Sequence, residues 1–187
     1  FSFYATKNLT TGEGGMVTTA RRDWAERIRV ASLHGLSHDA WTRYAADGRP
    51  HYDVLEPGFK YNMPDIQAAL GIHQLASLEQ RLERRAAIWE RYDRGLSSVP
   101  LVCPAPVRAG DRHARHLYTV LVDRERCGLT RDELQRVLQS KGIVTSIHFA
   151  AVHLHSYYAT RYGHTRGLCP NAEAIADRTL SLPLSAA

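Results

Sequence analysis

The chain has 187 residues, of which 44% are hydrophobic and 23% charged, and its formal net charge is +5. This composition is ordinary for a globular protein, and the length allows one large or two small domains. No apolar run approaches the roughly 18 residues that span a bilayer, no signal peptide is visible, and the three cysteines lack the spacing of a disulfide framework or zinc site, so a reducing, cytoplasmic location is the simplest interpretation.

The first third of the chain predicts two strands, a helix and a long irregular segment. Aromatic and apolar residues at 1–4 indicate a short buried strand, and residues 16–19 indicate a second strand. A helix is predicted over 22–34, with Gly35 as its stop signal. Residues 36–57 have turn signals but no period, which is typical of an active-site or subunit-contact loop.

A long helix is predicted to begin at Pro64. Its apolar stripe comprises Ile66, Leu70, Leu75, Leu78, Leu82, Trp89 and Tyr92. Arginines and acidic residues between Glu79 and Arg94 are mixed at helical spacing, which favours a solvated helix face over a nucleic-acid-binding surface. A proline-rich stretch then marks a domain junction, which divides the chain into domains 1–98 and 99–187.

The second domain predicts two strands around one helix. Residues 117–122 form an apolar run typical of a buried strand. Thr130 and Glu133 have the spacing of a capping box, and Gly142 closes the helix that the box opens. Residues 143–149 alternate as a strand, and the alternation places His148 on the face away from the core.

Lys7 is the first candidate catalytic residue. It is one of only three lysines in a chain with 21 arginines. Arginine stays protonated at any working pH, whereas a partly desolvated lysine can lose its proton and attack a carbonyl. Lys7 precedes a glycine-rich turn that would admit a bulky ligand, and the Ser2 hydroxyl suits a phosphate oxygen. The same spacing also fits an alternative without catalysis, in which Lys7 is a solvated loop residue and the glycines only form a hairpin.

Further candidates lie ahead of the Pro64 helix and late in the chain. Residues 58–62 precede a helix start, where free amides and the helix dipole favour anions. Asn62 in this segment also suits a structural role in starting the helix. The late group His153, His155, Tyr157 and Tyr158 superficially suggests metal ligation. Because no cysteine or carboxylate lies near it in the sequence, we expect no metal site.

Five blocks together resemble the DegT-type sugar aminotransferases, which are pyridoxal 5'-phosphate (PLP) enzymes that act on nucleotide-linked keto sugars. The blocks are 2–19, 34–41, 58–71, 141–149 and 180–184, and they follow the family's order. The resemblance implies an α/β protein of PLP-transferase fold type I (aspartate aminotransferase-like). We expect the chain to contain only part of this fold, namely the C-terminal part of the large domain and most of the small α+β domain. The chain would then be an internal fragment of a longer enzyme, and the fragment alone would be inactive.

The resemblance also assigns roles to individual residues. Lys7 would be the catalytic lysine that holds the cofactor, and Ser2 would contact its phosphate. Lys60 or Asn62 would reach the cofactor phosphate of a neighbouring subunit in a homodimer with shared active sites. The family most often has asparagine-tyrosine-arginine there, so this chain departs from the pattern. Tyr61 and His148 would lie near the sugar. Related dehydrating enzymes have histidine at the lysine position, so Lys7 favours amino transfer.

Residues 58–65, 126–131 and 141–143 are most similar to the members of the family that make UDP-4-amino-4-deoxy-L-arabinose for lipid A modification. The expected reaction is therefore transamination of a UDP-4-keto-pentose, with L-glutamate as donor and 2-oxoglutarate as product. GDP-perosamine-type and dTDP-4-keto-6-deoxyhexose aminotransferases are the near alternatives. Two other classes stay open, a non-catalytic partner-binding or regulatory protein on the same fold and a nucleic-acid-binding module.

Overall fold

A computed structural model describes residues 1–37 and 52–186, and its contacts form two compact units, Phe1–Leu78 and Glu79–Ala187. The predicted loop 36–57 and the block 34–41 therefore lie largely outside the described residues. Within the described part, no helix is long and apolar enough to cross a membrane.

The first unit contains helices α1 (Arg22–Ser32) and α2 (Asp65–Ala76). The two predicted strands at its start are wrong, because Ser2 pairs with Gly15 in a single isolated bridge and the Phe1 side chain is 81% exposed. A strand needs a partner along its length, and the described residues supply none beyond that bridge. Helix α1 ends at Ser32, two residues before the predicted end, and His34 and Gly35 follow it in left-handed conformations.

The predicted long helix is interrupted at Ser77. Helix α2 ends at Ala76, and α3 runs over Leu78–Leu96. The Ser77 hydroxyl donates to the Gln74 carbonyl at 3.2 Å, a local bond of the kind that competes with helix continuation. The apolar stripe is buried only in α3, because Ile66 and Leu75 of α2 are exposed.

The second unit is built around a three-stranded antiparallel sheet, ordered β1 (Leu101–Val102), β2 (Tyr118–Val122) and β3 (Thr179–Leu182). One face holds the core of Tyr118, Val120, Val122 and Leu180, and Trp89 of α3 packs edge-on against Tyr118 at a ring separation of 4.7 Å. The remaining helices are α4 (Arg124–Cys127), α5 (Arg131–Ser140), α6 (Ser156–Tyr162) and α7 (Pro170–Arg178), with a 3-10 turn at Val152–Leu154.

Helix α3 explains where the compact units divide. The boundary between the two compact units lies after Leu78, whereas the sequence predicts a domain junction after residue 98. Because Trp89 is buried against Tyr118, α3 packs with the sheet of the second unit.

Arg85 on α3 corrects the prediction of a fully solvated arginine face. Its side chain is turned inward and the residue is only 8% exposed. Its Nε and Nη2 atoms donate to the carbonyl oxygens of Arg115 at 2.7 Å and His116 at 2.6 Å. The guanidinium therefore ties the helix to the segment that leads into β2.

Around α5 and the following segment, one local prediction is confirmed and two are wrong. Thr130 caps α5, since its hydroxyl accepts from the Glu133 amide at 3.2 Å while Glu133 Oε2 accepts from the Thr130 amide at 2.7 Å. The predicted strand 143–149 is reduced to one bridge, in which Ser146 pairs with Ser181. The predicted core side of this segment is wrong as well, because Phe149 is 71% exposed whereas the half-buried His148 ring lies against the buried Ser181.

Candidate active site

Lys7 sits in a tight loop closed by backbone hydrogen bonds. The Lys7 amide donates to the Tyr4 carbonyl at 2.9 Å, and the Phe3 carbonyl accepts from the Thr11 amide at 3.0 Å and the Thr10 hydroxyl at 3.0 Å. The Lys7 side chain is half-buried, and its ammonium has no hydrogen-bond or ion-pair partner among the described residues. The loop thus holds a primary amine that is not committed to a structural contact.

The loop is fixed by close packing against α2. A Cβ at Gly14 would lie 2.4 Å from Thr11 Oγ1 and 3.1 Å from Met63 Cε, and one at Gly71 would lie 3.2 Å from Thr11 Cγ2. The Thr10 amide also donates to Gln74 Oε1 at 3.1 Å. Glycine is therefore needed at position 14 of the turn because a side chain there would collide with the buried Thr11. Gly71 on α2 packs against the same threonine, and the sequence did not predict this contact because helix periodicity does not show which residue packs against a helix.

Residues 58–61 run along the end of α1. The Phe59 amide donates to the Ala31 carbonyl at 2.7 Å, the His34 amide donates to the Phe59 carbonyl at 2.8 Å, and the Leu55 amide donates to the Gly35 carbonyl at 2.8 Å. A Cβ on Gly58 would lie 2.1 Å from the backbone nitrogen of Gly35. Glycine at position 58 is what allows the two backbones to approach so closely.

The side chains that follow are presented outward. Lys60 Nζ donates to Asn62 Oδ1 at 2.5 Å. Tyr61 is 75% exposed and its ring stacks on Phe59 at 4.9 Å. Asn62 does not cap α2, because the cap position is Pro64 and no side chain bonds there. The helix-starting role for Asn62 is therefore absent, and an ammonium and an amide are left side by side.

The predicted site residues fall into separate groups. Ser2 is exposed, and its hydroxyl makes only a long contact of 3.5 Å with the Tyr4 amide. Lys7, Ser2 and the Lys60–Asn62 pair belong to the first unit, but no contact joins these three groups among the described residues. His148 belongs to the second unit, where its Nδ1 lies 2.8 Å from Ser181 Oγ.

The late histidines have a structural partner that sequence reasoning missed. His153 Nε2 lies 2.8 Å from Glu173 Oε1, and Glu173 also accepts from the amides of Gly167 and Cys169. The Gly167 amide, with smaller contributions from His153 and Cys169, holds the pKa of Glu173 below its ordinary value. No group of three metal-ligating side chains occurs in the described ranges.

Solved structures similar to the chain define its class. The aminotransferase TlmJ from Streptoalloteichus hindustanus aligns with a TM-score of 0.82 at 36% identity, covering 99% of this chain and 46% of that one. Spr1654 from Streptococcus pneumoniae, in its PLP form, aligns with a TM-score of 0.82 at 30% identity, covering 99% and 46%. These neighbours are sugar aminotransferases of PLP-dependent fold type I, which confirms the predicted fold type for the part that they share.

The chain belongs to the DegT/DnrJ/EryC1/StrS aminotransferase family, whose pattern matches residues 1–187. The spore coat polysaccharide biosynthesis protein SpsC of Bacillus subtilis is 48% identical over 185 residues, which are 98% of this chain and 48% of SpsC. The chain thus spans about half the length of the curated relatives it matches.

The aminotransferases of this family use PLP, as predicted, and Spr1654 is known in both PLP and PMP forms. The residues of the first unit fit that group. An uncommitted lysine amine suits its aldehyde, and the cationic Lys60 beside Asn62 suits its phosphate.

Proposed function

We propose that this chain is the lysine-bearing part of a PLP-dependent aminotransferase that moves an amino group from L-glutamate to a nucleotide-linked 4-keto sugar. The observation that supports this most directly is the half-buried Lys7 amine, held in a packed loop without a described partner. When bound, PLP supplies the electron sink that stabilises a carbanion. Lys7 Nζ binds the cofactor and, once released, moves the proton at the substrate carbon.

The other site residues bind and orient. Lys60 and Asn62 would donate to the cofactor phosphate, and Ser2 would add a hydroxyl there. The exposed Tyr61 and the half-buried His148 would contact the sugar. None of these five is required to transfer a proton, so their replacement should weaken binding more than it slows the chemical step.

The assignment of Lys7 can be tested by chemical trapping. The full-length protein is incubated with PLP, reduced with borohydride and digested, and the adduct is located by peptide mass spectrometry. We expect a phosphopyridoxyl group on Lys7, and we expect Lys7→Arg to lose both the adduct and turnover. Lys141→Arg is the matched control, since Lys141 is an exposed residue at the end of α5, and it should retain both. An adduct on Lys60 or Lys141 would contradict the proposal.

A UDP-4-keto-pentose is the proposed substrate, with UDP-4-amino-4-deoxy-L-arabinose as product. The similarity of residues 58–65, 126–131 and 141–143 to enzymes with that product supports this choice, and the name of the B. subtilis relative places that protein in polysaccharide synthesis. Product assays with UDP-4-keto-pentose, GDP-4-keto-6-deoxymannose and a dTDP-4-keto-6-deoxyhexose separate the candidates. Amination of a hexose alone would remove the pentose assignment.

A homodimer with shared active sites is part of the proposal, because the family resemblance of residues 58–62 implies that they reach the cofactor phosphate of a neighbouring subunit. Two variants test it, Lys7→Ala and the double variant Lys60→Ala with Asn62→Ala, assayed at a PLP concentration low enough that the double variant alone is inactive. If each site combines Lys7 of one subunit with residues 60–62 of the other, random mixing should restore about a quarter of the sites. No restoration on mixing would show that each subunit builds its site alone.

A further inference from the structure

The sheet of the second unit has a polar face whose hydroxyl groups are buried. The register pairs Thr119 with Ser181, which turns both side chains away from the core face of Tyr118 and Leu180. Ser181 is only 3% exposed. A buried hydroxyl in the middle of a strand requires a hydrogen-bond partner, so its contacts indicate what the position is for.

His148 is held at the end of a chain of hydroxyls on this face. Ser146 pairs with Ser181 through two backbone hydrogen bonds, which sets the following residues beside β3. Ser181 Oγ then lies 2.8 Å from His148 Nδ1 and 3.1 Å from Thr119 Oγ1. The Thr179 hydroxyl donates to the His148 carbonyl at 3.3 Å, which restrains the backbone of the same residue.

The number of protons available favours one direction of bonding. If Thr119 donates to Ser181 and Ser181 donates to Nδ1, every hydroxyl proton in the chain has an acceptor. In the reverse direction Nδ1–H donates to Ser181 and Ser181 donates to Thr119, and the proton of the half-buried Thr119 hydroxyl then has to be donated to solvent. The first arrangement leaves the ring neutral with its proton on Nε2.

We infer that Ser181 and Thr119 are positioning residues, which hold His148 in the Nε2–H tautomer so that this group donates a hydrogen bond to an oxygen of the nucleotide sugar. The inference rests on the proposed function, in which His148 contacts that substrate. Neither hydroxyl touches the substrate. Each acts through the ring, because the bond made by one imidazole nitrogen decides which nitrogen is protonated.

The first test is spectroscopic and independent of turnover. The full-length protein is labelled with 15N-histidine, and two-bond proton-nitrogen correlations report the tautomer, with His148→Gln identifying the His148 signals. We expect Nε2–H in the wild-type protein and in Thr119→Ser, which keeps the hydroxyl. In Ser181→Ala the hydroxyl that donates to Nδ1 is lost, so the fraction of the Nδ1–H tautomer should rise. A wild-type Nδ1–H tautomer, or an unchanged Ser181→Ala spectrum, would overturn the inference.

The second test separates positioning from folding. In Ser181→Ala, KM for the nucleotide sugar should rise about tenfold, the effect of losing roughly one hydrogen bond, while the glutamate half-reaction keeps its rate. Thr119→Ser, which keeps its hydroxyl, should retain most of the wild-type KM, and Thr160→Val, at an exposed threonine of α6, should have no effect. A loss of the same size in both half-reactions would show a merely structural role and reject the inference.

The two tests also distinguish failure of the inference from failure of the proposed function. If the wild-type protein aminates none of the sugars, the proposed function fails, and the spectra alone still decide the tautomer. If the tautomer shifts as expected while KM for the sugar is unchanged in Ser181→Ala, the assigned role toward the substrate is wrong.

Discussion

Substitution of Gly58 by alanine should release the segment that bears Lys60 and Asn62. The added Cβ would lie 2.1 Å from the Gly35 nitrogen, 2.6 Å from the His34 carbonyl carbon and 2.9 Å from the Ala31 oxygen. All three are backbone atoms that cannot rotate away. Four backbone hydrogen bonds join the two segments at 2.7–2.8 Å. Loss of the three that involve Gly35 or Phe59, at about 1 kcal/mol each, costs about 3 kcal/mol of local stability.

Hydrogen exchange with mass spectrometry on the full-length protein measures this loss locally. Amides of residues 31–36 and 55–61 should exchange about 100-fold faster in Gly58→Ala, because each 1.4 kcal/mol corresponds to a tenfold change in the open population. Gly95→Ala is the matched control, since a Cβ there meets no atom within 4 Å, and exchange in these peptides should be unchanged. Wild-type exchange in Gly58→Ala would refute the close backbone approach itself.

Three further predictions concern the second unit, each read out by chemical denaturation. Arg85→Ala should lower the free energy of unfolding by about 2–3 kcal/mol, because two carbonyls lose a charged donor, whereas the exposed Arg84→Ala should change it by less than about 0.5 kcal/mol. Leu180→Ala should cost about 2–5 kcal/mol as a cavity in the core, and the exposed Leu168→Ala should be near neutral. The pKa of Glu173 is lowered by the Gly167 amide, so its stabilisation is complete above the unfolded pKa of about 4.3 and is lost as the pH falls through the lower folded value. Glu173→Gln should therefore flatten the acid side of the stability profile, and an unchanged profile would show that the carboxylate is not needed.

Local signals in the sequence were sufficient to predict the start of α5 and the central strand. The capping box at Thr130 depends on residues three apart, and the strand that ends at Val122 is an apolar run interrupted only by Thr119. Both features are decided by neighbours in the chain, so periodicity and spacing identify them. Lys7 was proposed as the catalytic lysine from its contrast with the arginine-rich background, which is also a property of the sequence alone.

Pairing across long separations could not be predicted in the same way. The segment at 143–149 alternates as a strand would, yet only Ser146 reaches a partner, since β3 lies more than 30 residues away in the chain. The burial of Arg85 depends on carbonyls near residue 115, and the partner of His148 is Ser181. Hydroxyl side chains at alternate positions of an otherwise apolar strand, as at Thr179 and Ser181, are the one signal that could have indicated the polar face.

The glycine contact between Gly35 and Gly58 also affects how the site can evolve. The path of residues 58–61 is set mainly by main-chain hydrogen bonds and by the close approach of Gly58 to Gly35, and the described side-chain hydrogen bond of Lys60 is made with Asn62. Ligand contacts at these positions can therefore be exchanged one at a time while the backbone stays where it is. A lysine-tyrosine-asparagine sequence can thus stand where relatives have asparagine-tyrosine-arginine, and the same freedom makes these three positions the natural ones to randomise when altering cofactor affinity.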